Sequence, residues 1–253
     1  MTSFMQERGP DWTGSWVGQC VGLGHTRLSI IDLEQRSAQP FFIERDVVLV
    51  FNGEIYNYRA LRRELRQHGH RFSTEGDTEV ILAAWREWGS RCLERLDGMF
   101  AFGLWDDGEK RLFLARDRIG IKPVYFTRNA GAFRFASEIK AILADPDVPR
   151  DVEPAALNHY LSFMVAPAPL TMFKDIFKLP AGHVLELDSE GRMKAWAYWD
   201  PVPGMGIDPA AVGGLHGQRL EDYYTTGILE RLEAAIGKRM MSDVPFGVFL
   251  SGG

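Results

Sequence analysis

Val47, Val48, Leu49, Val50 and Phe51 follow one another with no polar position between them. An alternating strand can turn one face to water, but this run cannot, so it reads as a strand buried on both faces. Other elements must cover it from two sides. The chain has the material: 253 residues, 45% hydrophobic and 25% charged, which excludes disorder and collagen-like repeats. That length allows one large domain, or one domain and a piece of another.

Around the run, short apolar stretches alternate with helix-period stretches, so the class is mixed α and β. Asn52-Gly53 followed by Ile55-Tyr56 reads as a tight turn into a partner strand. Tyr58, Leu61 and Leu65 share one stripe of a helix over 58–68 that Gly69 stops. A second helix starts near Asp77, carries Val80, Ile81, Ala84 and Trp88 on one face, and ends at Gly89. From Met99 the texture is that of an antiparallel meander, with strands at 99–105, 111–115, 124–126 and 133–136. Ser137 is placed to cap a short helix through Leu143, and Pro154 opens another through Phe163. Dense Gly and Pro mark a linker at 201–217, and a long helical pattern covers 220–240. Val248-Phe249-Leu250 then reads as a new strand leading into Ser251-Gly252-Gly253.

Lys plus Arg number 29 against 34 Asp plus Glu, a net charge of −5 with the signs interspersed. No basic stripe is available for a phosphate backbone, so nucleic acid is not an expected partner. The apolar stretches are far shorter than the ~20 residues a bilayer span needs. No membrane partner and a cytoplasmic location are the expectation. The two cysteines, Cys20 and Cys92, are too few for a disulfide scaffold. Both read as small buried or half-buried packing residues, Cys20 on a strand. His25, His70, His159 and His183 lie without a cysteine or carboxylate at ligand spacing, so no metal site is expected.

Three local features could carry chemistry, and each has a plain structural reading beside it. Asn52-Gly53-Glu54 could aim an amide and backbone N–H groups into a cleft, or could be only a hairpin turn. Arg27 interrupts an apolar strand with a guanidinium able to grip a carboxylate through two parallel hydrogen bonds, or is a surface arginine on an edge strand. Asp77 could take an ammonium group, or simply cap the helix it precedes.

Taken in order, longer phrases decide more than these features alone. They are Arg8-Gly9-Pro10-Asp11, the segment from Gly24 to Asp32, Phe51-Asn52-Gly53-Glu54-Ile55-Tyr56-Asn57 and Gly76-Asp77-Thr78-Glu79. Gly98-Met99-Phe100-Ala101-Phe102, the segment from Ala115 to Pro123, Ala136-Ser137-Glu138-Ile139-Lys140-Ala141 and the segment from Asp243 to Gly253 follow. In this order they resemble the glutaminase domain of glutamine-hydrolysing asparagine synthetases, a class II glutamine amidotransferase, and the entry to that family's ATP-binding domain.

The resemblance implies an α+β fold: a four-layer α/β/β/α sandwich of the N-terminal-nucleophile hydrolase type, followed by the first helix and strand of an α/β ATP-binding domain. It divides the chain into a glutaminase domain at 1–200 lacking its N-terminal strand, a linker at 201–217, and the start of the ATP-binding domain at 218–253. It implies that glutamine is hydrolysed to glutamate and ammonia, and that the ammonia amidates aspartate activated by ATP with Mg. By the same match Arg27 would hold the glutamine α-carboxylate and the backbone of Leu28, Ser29, Ile30 and Ile31 would line the pocket. Glu54 and Asp77 would take the α-ammonium, and Asn52 and Gly53 would stabilise the oxyanion. Leu250, Ser251, Gly252 and Gly253 would cradle ATP phosphates. A homodimer is compatible with the family.

The family's nucleophile is a cysteine exposed at the N-terminus, and here Thr2 follows Met1. Thr2 stands beside the wrong motif to replace it, and the chain reads as a piece of a synthetase clipped at both ends. Thr26 stands where the family usually has a second arginine. Two further readings stay open: a glutaminase-shaped module that binds without turnover, and an amidotransferase of this family with another acceptor.

Overall fold

Both faces of the 47–51 run are covered, as its pattern demands: Val48 and Leu49 are fully buried and Val50 and Phe51 nearly so. The structure is a computed structural model that describes residues 1–43, 46–202 and 209–249. Its strands are β1 (Trp12–Val17), β2 (Gly22–Arg27), β3 (Phe41–Ile43), β4 (Val47–Ile55), β5 (Gly98–Asp106), β6 (Arg111–Arg116), β7 (Tyr125–Asn129), β8 (Ala132–Ala136), β9 (Ile176–Lys178), β10 (His183–Leu187) and β11 (Met193–Ala197). The helices are α1 (Tyr58–Gln67), α2 (Thr78–Trp88), α3 (Cys92–Arg95), α4 (Ile139–Ile142), α5 (Pro154–Phe163), α6 (Pro209–Val212) and α7 (Gln218–Arg239).

Strands β11-β10-β6-β5-β4-β3 form one six-stranded sheet, all antiparallel, with β6 and β5 at its middle and β4 between β5 and the edge strand β3. On one face α2 packs its Trp85 edge-on to Phe102 of β5 and tilted over Phe113 of β6. The opposite face supplies Val48, Val50, Trp105, Leu112 and Leu114 to a core shared with Leu23 of β2, Val124 and Leu179. That second layer is itself divided, into the pair β1-β2 and the three-stranded β8-β7-β9. A further core of Ala136, Ala141, Ile142, Val148 and Ile176 joins β8 and β9 to α4. The layer order is therefore helix, sheet, sheet, helix, and the sandwich expected from the resemblance is what the chain forms.

Four local expectations are corrected. Asn52-Gly53 is not a hairpin turn: β4 runs through it, with Asn52 opposite Ala101 and Gly53 opposite Phe100. The glycine is there for closeness, since a Cβ on Gly53 would meet the Met99 carbonyl oxygen at 2.1 Å and the Phe100 Cα at 2.8 Å. Ser137 does not cap α4; Glu138 stands at that position, and its carboxylate is engaged by Arg8 at 3.0 Å and Lys140 at 2.9 Å. Cys20 is exposed, in the turn between β1 and β2 rather than on a strand, whereas Cys92 is fully buried. Val248 and Phe249 belong to no strand, having no ladder partner among the described residues. Leu250 lies outside the described residues, as do Ser251, Gly252 and Gly253.

Two compact units divide the chain, Met1–Trp199 and Asp200–Gly253. The first holds all the strands above. The second holds α6 and the 22-residue α7, which has no buried residue and exposes Ile228, Leu229, Leu232 and Ile236. No helix among the described residues is long and apolar enough to cross a membrane.

Candidate amino-acid site

Strand β4 delivers Asn52, Gly53 and Glu54 to one end of a cavity of about 620 Å³. Arg27 reaches the same cavity from the end of β2, and Asp77 from the start of α2. Leu28, Ile30 and Ile31 line it as well, while Ser29 does not. Ser29 is instead turned aside, its N–H donating to Asp11 Oδ2 at 2.7 Å. Eight of the nine residues expected to meet glutamine thus share one cavity, although they come from three separated segments.

The Arg27 side chain first builds the wall it belongs to. Its Nη1 donates to the Glu34 carbonyl at 3.1 Å, and its Nη2 to the carbonyls of Ile31 and Asp32 at 3.1 and 2.5 Å. Three of the five guanidinium N–H groups are committed to this loop, which leaves Nε–H and one Nη1–H, on different edges of the guanidinium, to meet a carboxylate singly rather than as a parallel pair. Burial weakens its hold on its proton, and the charges of Asp32, Asp77 and Asp11 oppose that.

Two carboxylates line the same cavity. Asp77 is 6% exposed, and burial pushes its pKa up to about 6, against the Ile55 N–H that donates to Oδ2 at 2.9 Å and with the charge of Glu54 adding to the rise. Its helix begins without a side-chain cap, because Asp77 has helical dihedrals and spends its carboxylate on β4 instead. Glu54 is half-buried, and desolvation raises its pKa too, partly offset by Lys122. Beside them the Asn52 side-chain nitrogen is buried with no hydrogen-bond partner. An amide donor left unspent in a protein interior is costly, and a ligand oxygen would satisfy it.

Other participants carry no signal of their own in the sequence. Gln39 pairs with Phe51 as a strand would, donating to its carbonyl at 3.1 Å and accepting its N–H at 2.6 Å. His25, inside the Gly24 to Asp32 phrase, has Nε2 3.0 Å from the same carbonyl, and burial lowers its pKa to about 4. It is neutral at pH 7, with Nε2–H as the donor to Phe51. Further in, Asp117 accepts the N–H of Phe100 at 3.1 Å and those of Ile121 and Lys122 at 2.9 Å. It organises the turn over 117–122, and it anchors the strand facing Gly53.

Of the two cysteines, burial pushes the Cys92 thiol up to about 12, which makes it inert as a nucleophile, and Cys20 sits on the cavity lining. Among the described residues no three His, Cys, Asp or Glu side chains are grouped to hold a metal ion. A fixed cation, two carboxylates and an unspent amide donor around one cavity suit a zwitterion that also carries a carbonyl oxygen.

Residues 1–199 match the family described as glutamine amidotransferase domain, and residues 227–253 match the family described as asparagine synthase. The chain is 36% identical over 256 residues to the glutamine-hydrolyzing asparagine synthetase 3 of Bacillus subtilis, covering 100% of this chain and 40% of that protein. It is 37% identical over 255 residues to synthetase 1 of the same organism, covering 100% and 38%. The chain thus spans about 40% of the length of the curated relatives it matches. A solved structure described as the allosteric regulatory enzyme of purine biosynthesis is similar with a TM-score of 0.51 at 20% identity, over 72% of this chain and 36% of that one, a likeness of fold.

Proposed function

Since the chain belongs to the glutamine amidotransferase domain family across residues 1–199, we propose that its cavity binds L-glutamine and readies the side-chain amide for attack. Arg27 takes the α-carboxylate, Asp77 and Glu54 take the α-ammonium, and the amide carbonyl lies against Asn52 and the Gly53 N–H. As the carbonyl becomes tetrahedral its oxygen gains charge, and the Asn52 donor strengthens its bond at that moment. A donor so placed is typically worth about 3 to 4 kcal/mol of barrier. The single observation that supports this reading is the convergence of Arg27, Asn52, Gly53, Glu54 and Asp77 on one cavity.

For the protein to which these residues belong, the reading extends to glutamine-dependent amidation of aspartate. The match of 227–253 to the asparagine synthase family supports ATP-dependent chemistry there, with Mg on its phosphates. The residues proposed to cradle those phosphates, Leu250 to Gly253, lie outside the described residues.

Calorimetric titration of the chain with L-glutamine, beside a coupled ammonia assay, tests the reading. Binding is expected, with Asp77→Asn weakening it at least about tenfold, the scale of one charged hydrogen bond. Buried and inert, Cys92 is not expected to contribute to any ammonia release. A chain that does not bind glutamine overturns the assignment.

A further inference from the structure

Between the Arg27 wall and the Asp77 turn stands Asp32, a residue with no part in gripping the ligand. It is 4% exposed and adopts a left-handed backbone with φ of 50°, which aspartate tolerates better than most residues. Its carbonyl accepts from Arg27 Nη2 at 2.5 Å, and its Oδ2 accepts the Glu75 N–H at 2.7 Å. Glu75 lies two residues before Asp77, in a turn that Arg62 holds from the other side by donating to the Gly76 carbonyl at 2.6 Å. One residue therefore touches both halves of the clamp, through its backbone on one side and its side chain on the other.

The chemistry of its surroundings is one-sided. Arg36 Nε donates to Oδ2 at 3.2 Å, and the Glu34 N–H approaches Oδ1 at 3.4 Å. Both oxygens face donors, a demand only a carboxylate meets, because an amide in either orientation sets an NH₂ group against one of them. The left-handed backbone and the acceptor pair together explain why this position carries an aspartate.

Resting on the glutamine reading of the cavity, we propose that Asp32 is a positioning residue that couples the Arg27 loop to the Asp77 turn. It thereby sets the affinity for ligands that carry both an α-carboxylate and an α-ammonium. A ligand with only the carboxylate depends on Arg27 and is indifferent to where Asp77 stands.

The test compares L-glutamine with glutaramate, which keeps the carboxylate and the carboxamide but has no amino group, by calorimetry on the full chain. Asp32→Asn retains the left-handed preference and the shape. It is expected to weaken L-glutamine about tenfold, the scale of one hydrogen bond to a charged group, and glutaramate less than about threefold. Equal losses for the two ligands, or none, overturn the proposal while leaving the binding reading intact. Failure of the unaltered chain to bind glutamine overturns both. Should Asp32→Asn not fold, amide exchange on the unaltered chain decides: glutaramate, which meets only the Arg27 side, slows exchange of the Glu75 N–H together with 31–34, because Asp32 carries the ordering across. Glutaramate protection confined to 31–34, with Glu75 unchanged, also overturns the proposal.

Discussion

At the scale of single residues, Asp77 makes opposite demands on pH. Burial holds its folded pKa at about 6, above the usual aspartate value of 3.8. The folded chain thus keeps a proton that the unfolded chain releases between these values. Folding stability from this group is present in full below the lower value and is lost as pH rises through the upper one. The difference amounts to about 3 kcal/mol at 1.36 kcal/mol per pH unit. Holding an ammonium group needs the ionised form, so affinity runs the other way and falls about tenfold for each unit below pH 6. Urea unfolding and glutamine titration at about pH 5 and about pH 7.5 should therefore shift in opposite directions, and Asp77→Asn should flatten both. Affinity that stays level across that interval would leave Asp77 with no cation to hold.

At the scale of elements, the site depends on how β5 is pinned opposite β4. Asp117, fully buried, carries the N–H groups of Phe100, Ile121 and Lys122, and more weakly that of Ile119 at 3.3 Å. Asp117→Ala strands these donors, at about 1 to 3 kcal/mol for each one left buried, so a loss of about 3 to 5 kcal/mol is expected in urea unfolding. Asp117→Asn, which keeps one acceptor oxygen, should lose roughly half as much; equal losses would mean that packing rather than these bonds sets the cost. The same long-range pairing shows why some elements were legible in the sequence and others were not. The stripe of Tyr58, Leu61 and Leu65 and the stop at Gly69 are local, and α1 forms where they place it. Asn52-Gly53 was misleading because a glycine that ends a strand and a glycine that lets two strands approach look alike until the partner, here Met99 and Phe100, is known. Ser137 lost its capping place to Glu138 for a similar reason, since Arg8 is 130 positions away. Within the site, Arg27, Asn52, Gly53, Glu54 and Asp77 could be read from ordered phrases, whereas Gln39, Arg62 and the coupling role of Asp32 could not. Their partners lie in other segments, Phe51 in β4 for Gln39 and the 75–76 turn for Arg62 and Asp32, and leave no mark on local composition.

At the scale of the whole molecule, the chain's two units differ in what they contain. The apolar cores at the sheet interface and beneath α4 are built from residues before Trp199, and so is every residue lining the cavity. The last ties of that unit are also internal: Tyr198 donates its hydroxyl to the Arg116 carbonyl at 2.9 Å, and the N–H of Tyr198 reaches the Gly182 carbonyl at 2.9 Å. Residues 1–199 should then fold and bind as the longer chain does. For a domain of this size about 1 kcal/mol moves the melting temperature by roughly 2 to 4 °C. Agreement within about 3 °C between residues 1–199 and the full chain, with glutamine affinity matching within about twofold, is the expected result. If the two units melt independently, calorimetry on the full chain should resolve the unit 1 transition at the temperature found for residues 1–199 alone. A drop of more than about 10 °C on removing 200–253, or loss of glutamine binding, would mean that the second unit completes the first, and the site would have to be rebuilt with its residues included.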